Sequence, residues 1–576
     1  MRSLPRLSAA GAAVVIMSTG TFAAGRDYGR SIVITRQGIV ATNQTLASQA
    51  GAQVLARGGS AVDAAIAANA VMGVVEPMSC GIGGDLFAIY WDAKTGTLTG
   101  LNASGWAPKG LSIAFLKSKG ITSMPKEGIY TVTVPGCVDG WEKLHKRFGR
   151  LPWAELFRPA IYYATNGFPV TELTAAAWKA SLSKLSLDSL GRDIFLPEGQ
   201  APKEGQVFRN PALGKALGLV AESGRDAFYR GPIAKNILAL SDFDGGTLTE
   251  ADFAEFQSEW VTPIATEYRG WKIYELPPNG QGIAALEMLN IMERFELPKL
   301  EPLSADALHL EIEAQKLAYQ DLARYVADPR FVKVPVEGML SKKYAAGRAA
   351  LIDPAQAKCE VAPGNPPSGA GDTIYLTVVD RDGNIVSLIQ SLYNSFGSGI
   401  SVLNYGFYLQ NRGALFTLDP EHPNALAPRK RPFHTIIPGF MEKGDLHIGF
   451  GIMGGLNQAQ AHAQFVSNLV DHGMNIQAAL EAPRFTKMTF GGCNVSIESR
   501  VPEKTLQVLR ERGHKLEVLG AYDTTVGGGH AVLHDSASKV NYGASSPRKD
   551  GAAVPEPDPY FGAPPPAPAK PAPKKK

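Results

Sequence analysis

Between Gln44 and Val75 the chain reads "QTLASQAGAQVLARGGSAVDAAIAANAVMGVV", small or apolar at most positions. The pattern is helical and is interrupted once, at Gly58-Gly59. It predicts two alanine-rich helices, the second capped by Ser60 with Asp63 at its third position. Helices this rich in alanine suit close packing on something flat, such as a sheet, and Asp63 inside the run argues against a membrane span. The runs "LFAIYWD" and "TLTGLNA" then read as strands. From about residue 137 to 345 the pattern is mostly helical, with "ADALHLEIEAQKLAYQDLARYV" amphipathic. Residues 357–371, which include "PGNPPSGAG", read as a linker. Strands and glycine turns alternate after Thr373, with one more helix at "AQAHAQFVSNLVDHG". No internal repeat is visible, and the mixture is α+β or layered α/β.

The run "TIYLTVVDRDGNIVSLIQSL" predicts a β-hairpin turning on Asp382-Gly383. That register sets Thr373 opposite Leu392, between Ser391 and Tyr393. Thr373 therefore stands where a loose linker meets a strand. Backbone cleavage before it would create a terminal threonine with both a hydroxyl nucleophile and a free α-amine. With a pKa of about 8, that amine can take the hydroxyl proton near neutrality. "GIMGG", after the strand-like "DLHIGF" and before a helix near Gln458, offers the N–H groups of Gly454 and Gly455 for an oxyanion. The loops "CGIGGD" and "VGGGH" match no phosphate-binding pattern, so nucleotide binding is not indicated.

A net charge of +3 on 576 residues points to neither nucleic acid nor a membrane surface as partner. The start "MRSLPRLSAAGAAVVIMSTGTFAAG" is basic, then apolar, then small. It reads as a secretory signal over residues 1–23, cut after Ala23, with an apolar run too short to span a bilayer. The mature chain is expected in the periplasm or outside the cell. Four cysteines, Cys80, Cys137, Cys359 and Cys493, form neither a CxxC pair nor a metal-ligand spacing. One disulfide is permitted in such a compartment but none is indicated. From Pro555 onward the composition predicts a disordered tail.

Several dense blocks resemble the gamma-glutamyltranspeptidase (glutathione hydrolase) family of self-processing N-terminal-nucleophile hydrolases. They include "LASQAGAQVLARGGSAVDAAIAAN", "TVPGCVDGWEKLHKRFGRLPW", "LTEADFAEFQSEWVTPIATEYRG", "GDTIYLTVVDRDGN", "FGSGI" and "YGASSPR", in family order over roughly Ile34 to Arg548. The resemblance implies a four-layer αββα sandwich and a cut between Asp372 and Thr373. That cut gives a large subunit 24–372 and a small subunit 373–576, paired as a heterodimer in one interlocked domain. It further implies Thr373 as nucleophile, Ser391 as the hydroxyl that supports it, Gly454 and Gly455 as oxyanion donors, and no metal or organic cofactor.

The family's glutamate clamp is not kept. Ser104, in "SGWAP", stands where the family has a carboxylate-binding arginine, and His434 and Thr435, in "KRPFHTIIP", stand where it has two serines. The positions that hold the α-amine read Tyr393, Arg412 and Leu415. With no acidic partner in view, Arg412 makes an ammonium unwelcome and suits a substrate carboxylate, with His434 as a second donor and Tyr393 closing the pocket. This second pattern resembles a subgroup that includes oxamate amidohydrolase and some acylases. The expectation is an amide hydrolase or acyltransferase acting on a small carboxylate-bearing amide without an α-ammonium. The rival expectations are a true gamma-glutamyltransferase and a catalytically idle periplasmic binding protein.

Overall fold

Small side chains let two helices lie flat on a sheet. Thr45–Ala56 and Ala61–Val75 are separated at Gly58-Gly59, and every residue of the second is buried. Its start is a capping box: Ser60 Oγ accepts from Asp63 N–H at 3.1 Å, and Asp63 Oδ2 accepts from Ser60 N–H at 2.9 Å. The same Asp63 oxygen accepts from the N–H groups of Arg150 and Leu151, at 2.8 and 3.0 Å. The structure is a computed structural model and describes residue 26 and residues 28–360 and 372–561. The expected signal segment, most of the linker and the end of the tail lie outside the described residues.

Two antiparallel seven-stranded sheets form the centre. One runs, in spatial order, Ala552–Pro555, Ile39–Thr42, Asp372–Val379, Ile385–Tyr393, Asp85–Asp92, Thr97–Ala103 and Glu259–Val261. The other runs Val33–Thr35, Val540–Ser545, Gly529–Asp535, Leu446–Ile452, Gly439–Lys443, Trp271–Glu275 and Ile264–Tyr268. Strand alternation distributes the apolar side chains among three layers. Ile374, Leu376 and Val378 pack with the alanine-rich helices and with Cys137–Phe148 and Pro211–Tyr229. Tyr375 and Val379 face the second sheet, beside Ile39, Phe440, Met453 and Val532. Beyond that sheet lie Gly282–Met292, Ala305–Tyr325 and Asn457–Val470. The chain is therefore α+β with both sheets packed between helices. Glycine makes the close approach of the sheets possible: a Cβ on Gly451 would lie 2.5 Å from the ring of Tyr375.

The hairpin forms, but its register differs by one residue from the expectation. Val379 pairs with Ile385 and Ile374 with Gln390, around a loop of Arg381, Asp382 and Gly383. The cause lies in Asp380, whose Oδ1 accepts from the N–H groups of Asp382 and Asn384, both at 3.0 Å. This closes the loop as an Asp380–Asn384 pair, and Gly383 takes the left-handed position, φ +85°, that a three-residue loop requires. The expected tail also begins later than Pro555. Pro555 pairs with Ile39, and the backbone N–H of Glu556 donates to Gly38 O. The buried Glu556 carboxylate accepts from Gly38 N–H and pairs with Arg381.

Ser60→Ala is expected to cost about 1 kcal/mol of stability as a lost helix cap. Asp63→Ala also strands the buried N–H groups that it serves and should cost about 2–4 kcal/mol. Denaturant unfolding of both variants checks this, and equal midpoints would refute the wider role of Asp63.

Candidate active site

Thr373 is the second residue of the strand Asp372–Val379 and is buried. Between the pairs Asp372↔Tyr393 and Ile374↔Gln390 the register shifts, so that Ser391 and Leu392 together oppose the single residue Thr373. At this β-bulge the two hydroxyls are neighbours: Thr373 Oγ1 and Ser391 Oγ lie 3.2 Å apart. Leu392 is an expected neighbour of Thr373, though through the bulge rather than through a regular pair. The Ser391 hydroxyl also accepts from Tyr393 N–H at 2.8 Å. Tyr393 has φ +77°, a strained value for a bulky residue.

Sequence reasoning passed over Asp85, which ends the glycine-rich "CGIGGD" and begins a strand as the cross-strand neighbour of Ser391. Asp85 is wholly buried and accepts from Arg412, Nε at 3.0 Å and Nη2 at 3.4 Å, and from His434 Nε2 at 2.6 Å. The premise that Arg412 stands without an acidic partner is therefore corrected. Arg412 is itself fully buried, donates from Nη1 to Thr435 Oγ1 at 2.7 Å, and stacks its guanidinium 4.7 Å from the centre of the Tyr393 ring. Of its five N–H groups, two have no acceptor among the described residues. An acid at the mouth of a fully apolar strand was the signal in the sequence that could have found Asp85.

Burial pushes the Asp85 carboxyl up, but Arg412 and His434 together hold it below the usual carboxylate range. Burial, with Arg412 adding to it, pushes the His434 imidazole down to about 4. His434 is thus neutral near pH 7, and the cluster carries one positive and one negative charge. Burial raises the Tyr393 phenol to about 12, with Arg412 opposing.

Gly454 and Gly455 leave the end of Leu446–Ile452 with φ of +116° and +60°, just before the helix Asn457–Val470. Tyr375, two residues beyond Thr373, packs over Gly451 of that same strand. Among the described residues no acceptor takes the Gly454 or Gly455 N–H. The buried Gln281 amide donates to Thr435 O at 2.5 Å and to Gly455 O at 2.8 Å, joining the pocket wall to the glycine loop. Ser104 stands one residue removed. Its hydroxyl donates to Asn102 at 2.7 Å and accepts from Asn279, whose carbonyl accepts from His434 N–H. Leu415 is buried in the turn Arg412–Leu415.

Among the described residues one group of metal-ligand residue types, His309, Glu313 and His514, lies elsewhere, with its ligand atoms within 4.8 Å of one another. His309 and His514 bond each other at 2.8 Å and Glu313 takes the Lys316 ammonium at 2.6 Å, while His514 Nδ1 has no partner among the described residues. No helix of the described residues is long and apolar enough to cross a membrane.

A hydroxyl at the head of a buried inner strand, in two sheets between helices, is the plan of an N-terminal-nucleophile hydrolase. The Gamma-glutamyltranspeptidase family model matches residues 47–556, and the chain belongs to that family. Within it the chain is similar to the glutathione hydrolase-like YwrD proenzyme of Bacillus subtilis, with 38% identity over 91% of this chain and 99% of the relative. It is 34% identical to the oxamate amidohydrolase proenzyme of Klebsiella pneumoniae, over 90% of this chain and 99% of that one. Among solved structures, the cephalosporin acylase from Bacillus halodurans superimposes with a TM-score of 0.85 at 42% identity, over 94% of this chain and 99% of that one. The chain is an enzyme, an amidohydrolase or acylase of this family leaning to the acylase-like members.

Asp85→Asn leaves a buried guanidinium unpaired and is expected to cost about 3–5 kcal/mol. Adding Arg412→Met should recover part of that loss, and a double-mutant cycle on unfolding free energies measures the coupling. A second expectation concerns pH. An unfolded histidine titrates at about 6.5, whereas His434 stays neutral to about 4 and His462 and His530 to about 3. As pH falls from about 6.5 toward 4 the unfolded chain binds protons that the folded chain refuses, so stability must drop across that window. His434→Gln should flatten the slope in unfolding measured from pH 7 to 4, and an unchanged slope would contradict the assignment.

Proposed function

We propose that the chain is an exported, self-processing amide hydrolase whose signal is removed after Ala23. Its backbone is cut between Asp372 and Thr373, giving subunits 24–372 and 373–576 that act as a heterodimer. The observation that carries the reading is the buried Thr373 hydroxyl, 3.2 Å from Ser391 at the head of an inner strand. In the processed enzyme Thr373 Oγ1 attacks the amide carbon, and its proton passes to the α-amine of the same residue and on to the leaving nitrogen. The N–H groups of Gly454 and Gly455 stabilise the oxyanion, worth about 3 kcal/mol or more per donor in such sites. Ser391 holds the nucleophile in place. Water, or an amine acceptor, resolves the acyl-enzyme. No step calls for a metal or an organic cofactor.

For the substrate we infer a small amide whose acyl part carries an oxygen acceptor, best a carboxylate, and no α-ammonium. Asp85 is committed to Arg412 and His434, so it is not free to receive an ammonium, while Arg412 keeps two N–H groups for an oxygen. Ser104, Tyr393, His434 and Thr435 complete the pocket wall. The similarity to an oxamate amidohydrolase and to a cephalosporin acylase supports this class of amide. Glutathione hydrolases are also relatives, as in Escherichia coli at 33% identity over 90% of this chain. A γ-glutamyl substrate, however, brings an ammonium that no free acid in the Asp85–Arg412 cluster meets.

Intact-mass spectrometry of the exported protein should show a small chain beginning at Thr373, and Thr373→Ala should stay uncut. The processed enzyme should release chromophore only weakly from a γ-glutamyl anilide, with little stimulation by glycylglycine. Robust turnover there would move the substrate reading to the gamma-glutamyltransferases.

A further inference from the structure

Away from the active site, the end of the large-subunit region meets the small-subunit region at a covalent bond. Cys359 and Cys493 form a disulfide, while Cys80 and Cys137 are buried and take part in no disulfide. Both bridged residues are pinned through their backbones. Gly492 N–H donates to Cys359 O at 3.0 Å, and Lys515 N–H donates to Cys493 O at 2.8 Å. Buried polar contacts order the surroundings. Lys316 Nζ donates to Glu313 at 2.6 Å and to Lys358 O at 3.1 Å, and lies 3.7 Å from Cys493 Sγ. His309 bonds His514 at 2.8 Å across the same corner. The disulfide, Gly492 with Cys359, Lys316 with Cys493 and His309 with His514 each join a residue before position 372 to one after it, whereas Lys515 with Cys493, and Lys316 with Glu313 and Lys358, stay within one region.

We propose that the mature enzyme is a disulfide-linked heterodimer, with Cys359–Cys493 holding the large and small chains together covalently after the backbone between them is cut. The proposal rests on the cut at Asp372–Thr373. In the precursor the bond closes a loop of one chain, across a separation of 134 residues. Once the peptide bond is hydrolysed, with one water added, the same bond becomes the only covalent link between two chains. Its formation removes two protons and two electrons from the thiols of Cys359 and Cys493. These pass to a disulfide-bearing oxidoreductase of the export compartment, whose own disulfide becomes a dithiol. A stable bond of this kind fits an exported protein.

The tether cannot be read from native association. The strand Asp372–Val379, which belongs to the small chain from Thr373 on, and Ile385–Tyr393 lie between Ile39–Thr42 and Asp85–Asp92 of the large chain in one sheet. The two chains would therefore stay together when folded even if the bond were reduced. Denaturing conditions are needed to expose it.

The test uses wild-type protein purified from an exporting host, unfolded in denaturant with iodoacetamide, and measured by intact-mass spectrometry with and without prior reduction. Without reductant, one species is expected, containing both chains and carrying two alkyl groups, on Cys80 and Cys137. After reduction, two species are expected, the small one with a single alkyl group on Cys493 and the large one with three. Cys493→Ser should give two separate chains without any reductant. Two separate wild-type chains before reduction would overturn the tether and leave the cut standing. A single uncut chain under both conditions would overturn the processing reading and the two-chain tether with it. The alkyl count before reduction, two or four, would then state separately whether the bond itself exists.

Discussion

The strand Asp372–Val379 is hydrogen-bonded on both sides, to Ile39–Thr42 and to Ile385–Tyr393, and its residues from Thr373 on are buried on both faces. Side chains along it alternate between the helices and the second sheet. A slip of one residue would carry Ile374, Leu376 and Val378 away from the alanine-rich helices and turn Tyr375 out of the inter-sheet layer. That cost fixes the register of the whole hairpin. The Asp380–Asn384 closure sets it at one end, and the bulge at Ser391-Leu392 adjusts it at the other. Without the bulge Thr373 would meet Ser391 as a regular cross-strand partner; with it, Thr373 meets both Ser391 and Leu392, and Tyr393 N–H can turn back onto the Ser391 hydroxyl. The chemistry available to Thr373 follows from this one constraint.

From there the contacts run in a continuous series. Ser391 holds Tyr393 through its backbone, Tyr393 lies under Arg412, Arg412 donates to Thr435, and Gln281 joins Thr435 to Gly455. Asp85 anchors the middle of the series by taking both Arg412 and His434. Burying a carboxylate and a guanidinium is expensive unless their remaining hydrogen bonds are met, and such pairs do more for geometry than for stability. Here they hold segments from four separate parts of the chain in one arrangement. The imidazole stays neutral, so the balance of one positive and one negative charge persists across the ordinary working range of pH.

Much of this could be read beforehand. The alanine-rich helices with their Ser60 cap, the hairpin, the place of Gly454-Gly455 between a strand and a helix, and the family all followed from local pattern, because each depends on residues near one another in sequence. What stayed hidden depends on distant partners. Asp85 and Arg412 are hundreds of positions apart, and neither local sequence names the other. The Cys359–Cys493 bond was invisible for the same reason. The hairpin register failed at short range, since an aspartate that bonds its own turn outweighed the usual preference for a two-residue Asp-Gly loop. The tail was begun too early because proline-rich composition masked Glu556, whose carboxylate is tied to Gly38 and Arg381.

Interleaving of the strands also constrains the order of events. A chain that places Asp372–Val379 between Ile39–Thr42 and Ile385–Tyr393 must build both sheets before it can present Thr373 in its buried setting. The proposed cleavage at that residue would therefore come after folding, when Ser391 is already beside the hydroxyl. In the uncut chain the nitrogen of Thr373 is an amide and cannot accept a proton, so on the proposed mechanism the cut itself would proceed without the base that it creates. The hydroxyl needs an orienting partner most at that step, and Ser391 Oγ lies 3.2 Å from it. On that proposal Ser391 would bear first on maturation, and only afterwards on catalysis, where the freed α-amine would take over the proton.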